Sequence, residues 1–288
     1  MKRLIFSLVV AAAIAISAVI VTSCGKIQAQ AVNDLKIANL RGSVQSVREI
    51  TYRAENKFGE FIKGERQGGR DGKFDDKPWS ELPLSYPLNS AAIYPFENSL
   101  LNFDKNGRIT DILIYDEYNQ IKSKYIYKYD AKGRKLERAE YDETGKLQNK
   151  FVFDYEPNGQ LSSMICGYPD IYCKAKPTQF DNNGNMTVIQ LNYEDDSEKL
   201  NCRFDKNNNL IAIGFNDSEE YSGAEFDNNN RILKDIFGAT YIYDDKGYLL
   251  KKMIDGQHTI YSNHDSYGNW TKAIVGEWQI IERTITYW

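Results

Sequence analysis

The residues best suited to chemistry in this chain are carboxylates and amides at short, regular spacing. Asp181-x-Asn183-x-Asn185 and Asp205-x-Asn207-x-Asn209 set oxygen ligands at alternate positions, as a calcium loop does. Both lack the glycine at the sixth position and the bidentate Glu at the twelfth that complete such a loop. Glycoside hydrolysis needs two carboxylates facing each other across a cleft. Here Asp returns at the same place in a repeated unit, and no pair stands apart from that unit. No Ser or Cys sits in a nucleophile elbow, and no glycine-rich phosphate loop follows a strand. The expectation is therefore a protein that is not an enzyme and that uses no metal and no cofactor.

Thiols and indoles are the other candidates. Cys166-Gly-Tyr-Pro-Asp-Ile-Tyr-Cys173 spans a predicted loop, and in an oxidising compartment a disulfide between Cys166 and Cys173 would pin it. Cys202 is then a buried free thiol on a strand. A zinc site would need more His or Cys than His258 and His264 supply. Trp79, Trp278 and Trp288 are not accounted for by any repeated position and are the candidates for ligand contact; Trp270 falls at an apolar repeat position and is expected in the core.

The elements that position these groups come from one recurring unit: an aromatic, Asp, two polar residues, Gly or Asn, any residue, then an apolar residue. It reads Phe103-Asp104…Gly107…Ile109, Tyr115-Asp116…Asn119…Ile121, Tyr129-Asp130…Gly133, Tyr141-Asp142…Gly145…Leu147 and Tyr155-Glu156…Gly159…Leu161. It continues as Phe180-Asp181…Gly184…Met186, Phe204-Asp205…Asn208…Leu210, Phe226-Asp227…Asn230…Ile232, Tyr243-Asp244…Gly247…Leu249 and His264-Asp265…Gly268…Trp270. This spacing is that of a hairpin whose type I turn is followed by one left-handed residue. Asp starts the turn because its carboxylate accepts from backbone N–H groups ahead of it. Gly, or else Asn, follows because that position needs a positive φ. Between turns the residues alternate, Tyr125, Tyr127 and Tyr129 on one face and Phe151, Phe153 and Tyr155 likewise. The expected fold is all-β: a long antiparallel meander of hairpin repeats, in one sheet that curls or winds because so many strands cannot stay flat. Glu277 to Trp288 is expected as a closing edge strand and Leu40 to Tyr52 as the first strand. Residues 57–98, with four prolines and no sustained period, read as a long loop carrying Trp79.

Tyr127-Lys128-Tyr129-Asp130-Ala131-Lys132-Gly133-Arg134 resembles the YD repeat of Rhs-type proteins, as does Tyr241-Ile242-Tyr243-Asp244-Asp245-Lys246-Gly247. The resemblance runs from about Phe103 to Trp270. It implies a β scaffold, in a family often linked with carbohydrate or cell-surface binding; the toxin role of full Rhs proteins does not carry over.

The N-terminus points to a compartment. Met1-Lys2-Arg3 and the apolar run Leu4 to Val21 have the pattern of a secretion signal. Val21-Thr22-Ser23-Cys24 resembles a bacterial lipobox, in which Cys24 would be acylated. A run near spanning length also fits an uncleaved membrane helix, but the place of Cys24 favours the lipidated reading. With the YD repeat, the whole resembles the YD-repeat lipoproteins of the Bacteroidetes. The expected organisation is a signal peptide over 1–23, lipidated Cys24 and a tether over 24–39, and one β domain over 40–288. In surface-exported lipoproteins of the Bacteroidetes the residues after the lipid cysteine are often acidic. Gly25-Lys26-Ile27-Gln28-Ala29-Gln30 does not resemble them, which favours the periplasmic face of the outer membrane. The net charge of −4, with Lys and Arg scattered among acids, excludes a nucleic-acid partner. The expected partners are the membrane, through lipid, and a glycan. An envelope protein bound by a scaffold is the alternative, and glycan hydrolysis a distant one.

Overall fold

The computed structural model describes residues 33–69, 98–167, 173–216 and 223–288. The leader with Cys24 and the stretch holding Trp79 lie outside the described residues. The strands are β1 (Val44–Lys57), β2 (Glu60–Gln67), β3 (Ser99–Phe103), β4 (Ile109–Tyr115), β5 (Ile121–Tyr129), β6 (Lys135–Asp142), β7 (Leu147–Tyr155), β8 (Leu161–Cys166), β9 (Cys173–Phe180) and β10 (Met186–Tyr193). They continue as β11 (Ser197–Phe204), β12 (Leu210–Phe215), β13 (Glu225–Phe226), β14 (Ile232–Lys234), β15 (Thr240–Tyr243), β16 (Leu249–Ile254), β17 (Gln257–His264), β18 (Trp270–Val275) and β19 (Gln279–Tyr287). One helical turn, α1 (Asp34–Ile37), precedes them.

The sheet is an antiparallel meander in which each strand from β3 to β12, and from β13 to β19, pairs with the next in sequence. Its ends then meet, and the sheet curls into a nearly closed barrel. β1 takes β19 along one side, from Val44↔Tyr287 to Arg53↔Gln279, and β3 along the other, Ser46↔Asn102 to Arg48↔Leu100. At the remaining junction, between β12 and β13, Ala224 N donates to Ile211 O at 2.7 Å. Side chains alternate between the two faces. The buried face holds two apolar clusters: Phe151, Phe153, Met164, Ile189 and Leu200 in one, and Val47, Leu101, Ile112, Ile114 and Tyr125 in the other.

Four expectations change. Glu60–Gln67, expected within the loop, forms β2 and pairs back on β1 through a turn at Phe58-Gly59. Its pattern has no buried face, so hydrophobic alternation could not reveal it. β1 starts at Val44 rather than Leu40 and runs on to Lys57. β19 is not an edge, because β1 covers its second side. The tether reading also ends early: Asp34 accepts Ile109 N at 2.8 Å and Tyr129 O–H at 2.9 Å, and Leu35, Ala38 and Leu40 are buried.

Candidate functional site

The ten turns read from the sequence have the expected chemistry. In every one the N–H of the first residue donates to the carbonyl four residues on, and the Gly or Asn N–H donates back. Gly107, Asn119, Gly133, Gly145, Gly159, Gly184, Asn208, Asn230, Gly247 and Gly268 all have positive φ. The Asp130 carboxylate accepts Lys132 N and Arg134 N on one oxygen, at 2.9 Å each, and Arg134 Nε on the other at 2.6 Å. Glu156, one methylene longer, leaves this role to Asn158, whose Oδ1 takes Gln160 N at 3.0 Å. Asp235 starts an eleventh such turn, with Gly238 at positive φ. It lacks the leading aromatic, since Lys234 stands there, and so escaped the repeat pattern.

The aromatic of the motif also has a defined task. Tyr129 O–H donates to Ile109 O at 3.0 Å and Tyr155 O–H to Lys135 O at 2.8 Å. His264 Nε2 stands 3.0 Å from Leu249 O, so the one His copy keeps the bond. Each thus ties its strand to the carbonyl just past the preceding turn at the same end. Arg108, Arg134 and Arg231 bind their own turn's Asp and lie over Tyr129, Tyr155 and Tyr243, at 5.0, 4.4 and 5.0 Å from the ring centres. Tyr consumed in this way is structural and unavailable to a ligand.

Burial opposes ionisation of Asp104, Asp130 and Asp227, but the arginine side chain and two backbone amides outweigh it and hold each carboxyl below its ordinary range. A depressed folded value contributes stability above the unfolded value of about 3.9, lost as pH falls through the folded one. The unfolding temperature should therefore be level from neutral pH to about 5 and fall below about pH 4. Asp130→Asn should flatten part of that fall in a calorimetric pH series; an unchanged profile would refute the assignment.

An antiparallel meander sends alternate turns to opposite ends. Eight repeat turns, beginning at Asp104, Asp130, Glu156, Asp181, Asp205, Asp227, Asp244 and Asp265, share one end, called here the upper rim. The others fall at the lower rim. This separates the expected Trp contacts. β19 runs from the lower rim to the upper, so Trp278 and Trp288 stand about 30 Å apart across its nine residues and form no common platform. Trp270 is half-buried, with the Arg283 guanidinium 3.4 Å from its ring centre.

On the upper rim Trp288 has neighbours the sequence did not reveal. Its N–H donates to Ser43 O at 3.0 Å, and Lys105 Nζ from the first repeat turn lies 5.3 Å from its ring centre. Next along the rim Tyr267 stacks on Tyr287, with ring centres 4.4 Å apart, and lies against Gly42. Tyr248 follows, against Gly268, stacked on His264 at 5.2 Å with the Arg41 guanidinium 5.0 Å from its ring centre. Trp288 and Tyr267 are 52% and 48% exposed, and Tyr248 is half-buried. The three make an arc of rings set in hydrogen-bonding groups: Asn269 binds both Arg41 N and Arg41 O, at 2.8 and 2.9 Å, and Tyr287 O–H binds Asp265. Tyr248 falls at a turn position where the other copies carry Arg, Lys, Gln or Asn, and Tyr267 at one where they carry Asn, Lys or Thr apart from Tyr118 on the lower rim, which was the available signal.

The two cysteines expected as a loop staple flank that loop on facing strands. Cys166 and Cys173 are buried and directly opposite each other on β8 and β9. A hydrogen bond from Cys166 holds the Cys173 thiol below its ordinary value against burial. Burial pushes Cys202 up to about 12. Treatment with oxidised glutathione should join Cys166 to Cys173, the reagent leaving as two thiols, and spare Cys202. Peptide mapping checks this; Cys202 in the linked peptide would contradict it. Among the described residues no group of three or more His, Cys, Asp or Glu is placed to hold a metal ion.

No family model matches the chain, and no curated protein matches it. Solved structures do resemble it at low identity. One is a TcdB2-TccC3-Cdc42 complex, at 12% identity and a TM-score of 0.34 over 62% of this chain. A Photorhabdus luminescens Tc holotoxin pore matches over the same share, at 11% identity and a TM-score of 0.34. This chain spans 12% of the length of each of these. A porin-like protein from Bacteroides uniformis matches over 84% of this chain and 96% of its own, at 10% identity and a TM-score of 0.38. At these scores none of the three carries an argument about function.

Proposed function

We propose that this chain is a non-catalytic YD-repeat lipoprotein of the cell envelope, anchored through Cys24 to the periplasmic face of the outer membrane, whose upper rim binds carbohydrate. The observation that carries the reading is the arc Tyr248, Tyr267 and Trp288 on a single rim. Flat rings pack on the CH faces of sugars, and Trp288 and Tyr267, each about half exposed, offer such rings, with the Lys105 ammonium beside Trp288 as a donor to a sugar hydroxyl. The rim's Asp carboxylates are held by their own turns, which suits binding rather than acid–base work. The outer face carries a Lys128–Glu137–Lys150 ion ladder, at 2.9 and 2.7 Å, that a lipid-facing barrel wall would not tolerate. An acyl anchor at Cys24 needs no such wall. α1 docks beside the turn at Asp104, so the tether leaves from the upper rim and keeps it within about 30 Å of the bilayer.

One observation favours a protein partner instead. Ile242 and Ile260, each 45% exposed, share a cross-strand row on the outer face through Lys251.

The full chain, extracted in mild detergent, is to be screened by affinity electrophoresis and glycan array against plant, host and bacterial polysaccharides. Trp288→Ala and Tyr267→Ala should each weaken binding about tenfold, the worth of one ring stack. Trp278→Ala, on the lower rim, should have no effect. No retention by any glycan would remove the reading in favour of the protein partner.

A further inference from the structure

The upper rim continues past Tyr248 into three turns built almost wholly of asparagine. Their tips expose Asn182 and Asn183, then Asn207, then Asn228 and Asn229. Behind the tips the amides are laddered from turn to turn. Asn185 Nδ2 donates to Asn208 Oδ1 at 3.0 Å, and Asn209 Nδ2 donates to Asn230 Oδ1 at 2.6 Å. The same amides of Asn185 and Asn209 hold their own Asp at 2.9 Å.

Turn chemistry accounts for the second set and not the first. At the tips of these three turns the backbone N–H groups make the turn's own bonds, as Asn183 N and Asn207 N to their Asp carboxylates, at 2.8 Å each, show. Among the tip amides Asn207 Nδ2 also donates to Asn230 Oδ1, at 3.3 Å. Other copies put Ala131-Lys132, Glu143-Thr144 or Ser266-Tyr267 there. Single asparagines also stand at the tips of the Asp104 and Glu156 turns, as Asn106 and Asn158, but among the ten copies the paired tip asparagines Asn182-Asn183 and Asn228-Asn229 occur only within this stretch of adjacent turns on one rim. Neighbouring turns on a rim are two strands apart, about 10 Å, which is of the same order as a disaccharide unit of an extended glycan. Arg231, against Gly247, joins this stretch to the aromatic arc without a break.

From this we infer that the ligand is an extended, uncharged polysaccharide. It stacks on the Tyr248–Trp288 arc and runs on along the asparagine turns, whose tip amides hydrogen-bond its hydroxyls. The inference rests on the carbohydrate reading above. Neutrality follows from the tips, where Lys206 is the one cation among the exposed tip residues of the three turns, too little to attract an acidic polymer.

The test uses the full chain in detergent with three kinds of probe: neutral polymers (mannan, dextran and mixed-linkage glucan), acidic ones (polygalacturonate and chondroitin sulfate), and length series of neutral oligosaccharides. Neutral polymers should be retained and acidic ones not. Affinity should rise about tenfold or more with oligosaccharide length, as further turns are engaged, and then level off. Asn183→Ala combined with Asn228→Ala should abolish the gain with length and leave short oligosaccharides bound as before. Trp288→Ala should weaken every length alike. Neither asparagine side chain is needed by its turn, so an unchanged thermal midpoint confirms folding. Glycan binding that ignores length, prefers acidic polymers, or survives the double substitution at every length would overturn the track and leave the carbohydrate reading standing. No binding by the unaltered chain to any probe would overturn both.

Discussion

Glu49→Ala is expected to cost about 3–5 kcal/mol of folding stability, the usual loss when one partner of a buried ion pair is removed. Glu49 and Arg283 have side chains only 2% and 3% exposed, and Arg283 Nε meets Glu49 Oε1 at 2.5 Å. They are direct cross-strand partners in the β1–β19 ladder, where the sheet closes on itself. Alanine would leave the guanidinium charged and buried, with Trp270 on one side. The double replacement Glu49→Leu with Arg283→Met removes both charges and should recover most of the loss. Lys63 and Glu282, 3.0 Å apart on the surface nearby, make the control: Glu282→Ala should leave stability unchanged. Denaturant unfolding with all variants measures this. A Glu49→Ala loss no larger than that of the surface control would show that the pair does not fasten the seam.

Two glycine substitutions separate turn strain from packing at the rim. Gly145 has φ +81 and open space where a Cβ would go, so Gly145→Ala should cost only the left-handed penalty, about 1–2 kcal/mol. Gly268 has φ +87, and a Cβ there would stand 2.1 Å from the Tyr248 ring, which is itself stacked on His264. Gly268→Ala adds overpacking to the same strain and should cost about 3 kcal/mol or more. It should also weaken glycan retention, because Tyr248 must leave the arc. Equal losses at the two sites would mean that Tyr248 is not held against the turn.

Much of the local structure was legible. The Asp–Gly/Asn spacing implied the turn, its left-handed residue and the bonds made by the Asp carboxylate, and these appear at nine of ten copies, with Asn158 substituting at the tenth. The meander followed, because a hairpin turn leaves its two strands nowhere to pair but with each other. Less was legible of the site. Trp288 was singled out, but Tyr248 and Tyr267 were absorbed into a Tyr-rich background in which most rings pack inside or bind carbonyls. β2 was missed because a strand without a buried face shows no alternation.

By itself, then, the sequence determined the things that five to ten consecutive residues settle: turn type, strand alternation, all-β class, and the chemistry that fixes Asp130 or Gly133 in place. Tertiary structure alone decided that β19 meets β1 and that Glu49 finds Arg283 across more than two hundred residues. It also decided that Trp278 and Trp288 part company while Trp288 joins Lys105 and, one turn on, Tyr267. The physical reason is range. A turn is held by bonds a few residues long, whereas ring closure sums the small twist and curl of every strand pair, a quantity no single segment carries.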